Sequence, residues 1–98
     1  MSEEIYKFLE FKDKLKFLKD TLSKYEVKLA ELSTAKEILN RKNRSVYRLL
    51  GGLMLEVSRE EAMDYIEKSE NLFKTQIEKL REEISKLERE IGKVIKCS

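Results

Sequence analysis

The chain has 98 residues, 41% charged and 41% apolar, with three Gly, one Cys and neither Pro nor His. That is the composition of coiled coils and long helices rather than of a compact α/β enzyme. The 21 basic and 19 acidic residues interleave to a net charge of +2, so the chain lacks the overall basic balance that nucleic-acid binding usually calls for.

A lone Cys excludes an internal disulfide and fits a reducing compartment, which makes the cytoplasm the expected location. One Cys without His also excludes a zinc site of the usual ligands. No apolar run approaches the roughly 20 residues needed to cross a bilayer. The opening stretch MSEEIYKFLEFKDKLK, acidic early and charged throughout, does not read as a signal peptide.

Ser2 with Glu3 and Glu4 can start the first helix. Taking third and fourth positions in turn then gives Phe8, Phe11, Leu15, Leu18, Leu22, Tyr25, Leu29, Leu32, Lys36 and Leu39. All but Lys36 are apolar, on a strict seven-residue period that argues for a coiled coil. The helix is expected over about residues 2–43, fading in NRKNRS at 40–45, where Asn40 and Asn43 are weak helix formers.

The centre, SVYRLLGGLMLEVS at 45–58, is different. Two runs rich in β-branched, aromatic and aliphatic residues, 46–50 and 53–57, flank Gly51-Gly52, which supplies the positive φ that a two-residue turn needs. The spacing predicts a β-hairpin. One face carries Val46, Arg48, Leu50, Leu53, Leu55 and Val57; the other carries Tyr47, Leu49, Met54 and Glu56. Both are largely apolar, and a two-helix coil can cover little of either. An isolated hairpin is marginal in water, and its open edges invite strand pairing. Burying aliphatic side chains is worth on the order of 1.5–3 kcal/mol each. The expectation is that Val46, Tyr47, Leu49, Leu50, Gly51, Gly52, Leu53, Met54, Leu55 and Val57 form a subunit-assembly surface, buried by the hairpins of other chains in a shared sheet or barrel. The alternative is a loop lying over the helices.

The second helix opens at Ser58 with Glu61 three residues on, a capping box, and is expected over about residues 59–96. Its seam reads Met63, Ile66, Glu70, Phe73, Ile77, Leu80, Ile84, Leu87, Ile91 and Val94, apolar except at Glu70. If the chain folds back at the glycines, Phe8 meets Val94, Leu15 meets Leu87, Leu22 meets Leu80, Leu29 meets Phe73 and Leu39 meets Met63. One register satisfies every layer, which two unrelated coiled-coil strands need not do. The fold class is therefore mainly α: an antiparallel two-helix coiled coil joined by one β-hairpin, in a single domain over 1–98. Each helix should be about 60 Å long at ~1.5 Å per residue.

In this setting VYRLLGGLMLEVSREEAMDYIEKSENL, between two heptad helices, resembles the β-type subunits of prefoldin. The shared pattern is an aromatic at Tyr47, an aliphatic pair, a Gly near Gly51, and an apolar strand leading into a second long helix. The Gly-Gly pair and the preceding Tyr47-Arg48 look most like the subunit 2 branch. The motif match is confined to about residues 44–75. The resemblance implies a two-helix coil and one hairpin per β-type subunit, four of which join two α-type subunits through central β-barrels. It implies an ATP-independent holdase whose coil tips capture non-native proteins, such as actin and tubulin, and pass them to a cytosolic chaperonin. No cofactor, metal, membrane or nucleic acid is expected. Family members often carry longer termini than this chain, which leaves less of the tip for clients.

The client-binding expectation falls on Ile5, Tyr6, Phe8, Leu9, Phe11, Val94 and Ile95, where the two termini meet; Met1 continues the seam there and Phe17 is a further apolar residue outside it. Phe8, Phe11 and Val94 have the alternative of simply closing the seam. Lys7, Glu10, Lys12 and Lys93 keep that end soluble. Lys36 and Glu70 lie in adjacent layers, and either fix the register as a pair or snorkel to water. Ile38, Tyr65 and Leu72 are candidates for contact with neighbouring subunits. Arg41, Lys42, Arg44 and Arg48 form the one basic cluster, read either as a solvated helix end or as a contact for an acidic partner. Cys97 reads as an exposed tail residue. Catalysis is not expected, because no nucleophile–base pairing or phosphate loop is present and the carboxylates sit at surface salt-bridge spacing. The competing functions are a structural coiled-coil adaptor of another assembly and a nucleic-acid-binding dimer that uses the basic cluster.

Overall fold

A computed structural model describes residues 2–41 and 45–97. Helix α1 spans Ser2–Arg41, strands β1 and β2 span Val46–Leu50 and Leu53–Val57, and helix α2 spans Arg59–Cys97. Glu3 and Glu4 occupy the first turn of α1 and Glu60 and Glu61 that of α2, where carboxylates oppose the positive end of the helix dipole. At the start of α2 the Ser58 hydroxyl accepts a hydrogen bond from the Glu61 amide at 3.1 Å, and the Ser58 carbonyl accepts from the Ala62 amide at 3.0 Å. The capping box thus does its work through Ser58. Lys42 and Asn43, the last two residues expected in the first helix, lie outside the described residues.

The chain divides into two compact units, Met1–Glu26 with Thr75–Ser98, and Val27–Lys74. In the first unit Leu18, Ile84 and Leu87 are buried, with Phe11, Leu15, Leu22, Leu80 and Ile91 packed around them. These are the layers that the heptad phase pairs. Across the same unit Arg81 reaches Glu26 at 3.4 Å, an exposed pair that adds little to stability.

In the second unit Leu39, Ala62 and Ile66 are buried, against Leu32, Met63, Val46 and Val57. The two valines are the pair at the open end of the hairpin, so the hairpin is rooted in the helical core by its first and last strand residues. This unit also holds the two polar seam positions. Glu70 is buried; it accepts a hydrogen bond from the Ser33 hydroxyl at 3.3 Å and pairs with Lys36 at 3.5 Å. Lys36 Nζ also lies 3.7 Å from Glu67. The polar layer is therefore an ion pair whose acid is inside and whose base, half-exposed, bridges two carboxylates. A buried carboxylate is tolerated only when so satisfied.

Among the described seam residues, every one is buried or half-buried, while most other positions on both helices are exposed. Among the described residues the apolar side chains of Ile77, Leu18, Leu39 and Ile84 are the most enclosed. Ile84→Ala should lower stability by about 2–5 kcal/mol, because the buried Leu18 and Leu87 around it cannot fully close over the space it leaves. The shift in the denaturant midpoint of the chain measures it.

Candidate functional site

The hairpin pairs antiparallel in the register Val46↔Val57, Tyr47↔Glu56, Arg48↔Leu55, Leu49↔Met54 and Leu50↔Leu53. Its turn is Gly51-Gly52, with φ of +53° and +83°. Two successive positive φ values are the signature of a type I′ turn, whose twist matches that of the strands. A Cβ at either glycine would meet nothing within 4 Å. The need for glycine is thus one of backbone conformation rather than of space.

The expected assembly residues are brought together on this one element. Only Val46 and Val57 are drawn into the helical core; the rest stand in the open. Leu49 and Met54, on the face away from Val46 and Val57, are each 70% exposed, against 48% for Leu50 and 47% for Leu55 on the other face. Leu53 and Tyr47 are exposed as well. A two-stranded sheet has no further strand within the described residues, so each strand keeps an edge of unpaired amide and carbonyl groups. Six large apolar side chains flanked by open edges form a contiguous surface of the kind that marks an association site.

Beside the hairpin, within the same unit, lies a groove of about 800 Å³. Its floor includes Ala35, Ile38, Ala62 and Tyr65, and its wall is β1. Ile38 and Tyr65 were expected to face neighbouring subunits; both border this groove and both are about half exposed. Leu72 is exposed but is not among the lining residues. The Arg48 guanidinium stacks over the Tyr65 ring, 4.3 Å from its centroid. This contact joins a residue read from sequence as part of a basic cluster to one read as a lone apolar residue. The available signal was strand alternation, which puts Arg48 on the same face as Val46 and Leu50. Of the other basic residues, Arg41 pairs with Glu37 at 3.9 Å; Lys42 and Arg44 lie outside the described residues.

The second expected surface, at the end of the first unit that carries both termini, divides into two kinds of residue. Phe8, Phe11 and Val94 are half-buried seam residues. Lys12 lies over the Phe8 ring at 5.6 Å and Lys7 over the Phe11 ring at 5.8 Å, contacts worth about 0.5–1 kcal/mol at exposed sites. Ile5, Tyr6, Leu9 and Ile95 are exposed, as is Phe17 further along α1. Met1 lies outside the described residues, and Cys97 ends α2. No cluster of three or more His, Cys, Asp or Glu able to hold a metal occurs among the described residues, and no helix there is long and apolar enough to cross a membrane.

Two long helices joined by one exposed β-hairpin define the class of helical-hairpin, coiled-coil proteins. The family model for prefoldin subunits matches residues 2–96. The chain belongs to the prefoldin subunit family. It is similar to the crystal structure of the prefoldin β2 subunit from Thermococcus strain KS-1, with 28% sequence identity and a TM-score of 0.84, over 92% of this chain and 98% of that one. The prefoldin β subunit of the same strain has the same fold, with a TM-score of 0.85 at 14% identity, over 96% of this chain and 84% of that one. No curated protein matches the chain by sequence. The comparisons are consistent with a β-type subunit, and the family consists of chaperone subunits, not enzymes, that form oligomers with one another.

Replacing Gly52 by Val forces a β-branched residue into the left-handed region at a cost of about 1–2 kcal/mol. Amide hydrogen exchange should then quicken across Val46–Val57 while protection in α1 and α2 is retained.

Proposed function

We propose that this chain is a β-type subunit of a cytoplasmic, heterohexameric, ATP-independent holdase. Its hairpin joins α- and β-type prefoldin subunits, and its helical coil holds non-native proteins for transfer to a cytosolic chaperonin. The observation that carries this reading is the hairpin itself. The element is paired, rooted in the core by Val46 and Val57, and yet leaves Tyr47, Leu49, Leu50, Leu53, Met54 and Leu55 in water. A coiled-coil adaptor with a short connecting loop would have no use for ten strand residues of this kind.

Client contact is assigned to the apolar residues beside the termini. Ile5, Tyr6, Leu9 and Ile95 are exposed and lie outside the seam, so they are available without opening the coil. Phe8, Phe11 and Val94 become available where the helix ends fray. The neighbouring lysines over Phe8 and Phe11 keep this apolar surface hydrated between encounters. Holding of this type draws on exposed apolar area and helix fraying, so nucleotide is not required.

Native mass spectrometry of complexes recovered through a tag on this chain tests the assembly. Six small coiled-coil subunits are expected, with a chaperonin as a weaker companion. A homodimer, or a complex with unrelated large proteins, would return the chain to the adaptor reading. Leu55→Asp places a charge among the exposed apolar residues of the hairpin. It should abolish the oligomer while circular dichroism retains most of the helix signal. Ile5→Ser combined with Leu9→Ser should leave the oligomer intact and weaken suppression of client aggregation severalfold. Unchanged suppression would remove these residues from the client surface.

A further inference from the structure

Strand β1 carries a single charge. Arg48 is the middle residue of the five in Val46–Leu50, and it shares a face with Val46 and Leu50. Tyr65 holds its guanidinium from one side by stacking at 4.3 Å. A cation–π contact of this kind leaves N–H donors of the guanidinium available for a hydrogen-bonding partner. Among the described residues Arg48 has no carboxylate at ion-pair distance. Glu56, the one acid of the hairpin, pairs with Tyr47 and so lies on the opposite face. Glu61 borders the same groove without reaching Arg48.

The groove beside the hairpin follows the unpaired edge of β1. Every β1 residue lines it, whereas β2 contributes Val57 among the described residues. An occupant that continues the sheet would therefore be an extended strand hydrogen-bonded to β1, with alternate side chains turned towards Ala35, Ile38 and Tyr65.

We propose that Arg48 is the specificity residue of this edge. It selects a strand from a different chain that presents an Asp or Glu opposite it, and it bars two copies of this chain from pairing along β1. The proposal rests on the reading of the hairpin as an assembly surface. In the full antiparallel register of two copies, Val46 meets Leu50, Tyr47 meets Leu49, and Arg48 meets Arg48. Every pair but the last is apolar and favourable. Like charges directly opposite are destabilising, and apolar neighbours on both sides would strip the two guanidinium groups of water with nothing to replace it. Slipping the register to separate them gives up backbone hydrogen bonds at the strand ends. A carboxylate on a foreign strand reverses the sign of the interaction, and it meets donors already held in place by Tyr65. Strand β2 has no such block, because its central residue is Leu55. The two edges of one hairpin thus differ in what they accept.

The test uses the full chain. Sedimentation velocity measures self-association of wild type, Arg48→Leu and Leu55→Asp. Native mass spectrometry resolves the pairs formed in an equimolar mixture of wild type and Arg48→Glu. Arg48→Leu is expected to self-associate on the order of tenfold more tightly than wild type. The mixture is expected to favour the mixed pair over either homodimer, with an excess that shrinks as salt rises. If both Arg48 variants associate as wild type does while Leu55→Asp weakens association, the selective role of Arg48 is overturned and the hairpin remains an assembly surface. If Leu55→Asp also changes nothing, the assembly reading falls together with the proposal.

Discussion

A seven-residue apolar period, carried in one phase on both sides of a two-glycine turn, sets the terms for everything else in this protein. Because the buried residues, Leu18, Ile77, Ile84 and Leu87 in one unit and Leu39, Ala62 and Ile66 in the other, lie along one narrow seam, the helices have no second row of packing to fall back on. A two-helix coil encloses little volume, and among the described residues no large side chain is completely buried. Its specificity therefore comes from phase, from the end that the Ser58 cap defines, and from one polar layer. At that layer Glu70 is held inside by Ser33 and Lys36. A slip of the helices would strand the carboxylate among apolar residues, so this layer acts as a register pin more than as a source of stability.

The same shortage of interior explains the hairpin. A coil two helices wide offers it only a narrow shelf, and that shelf takes Val46 and Val57. The remaining apolar residues of β1 and β2 stay in water in the single chain, which is the cover that the proposed assembly would supply. Under the reading proposed above, the hairpin would join subunits and the exposed apolar residues near the termini would hold clients. On the helix surfaces Asp64 pairs with Lys68 and Glu90 with Lys93 at ordinary salt-bridge spacing.

The sequence by itself determined the element order, the phase of the seam, the strands at 46–50 and 53–57, and the turn at Gly51-Gly52. Each of these is written in a local period or in a residue whose backbone freedom is unlike the others. It also determined which residues would be left exposed, since strand alternation and a count of available cover require no coordinates. What the tertiary structure decided is which long side chains meet. Lys36 bridges Glu67 and Glu70 rather than only its seam neighbour, Ser33 joins that layer, and Arg48 lies over Tyr65. These pairings depend on the angle at which the hairpin leaves the helices and on rotamers of flexible side chains. Periodicity places a residue on a face, but it does not say which partner, several residues or a whole turn away, that side chain will reach.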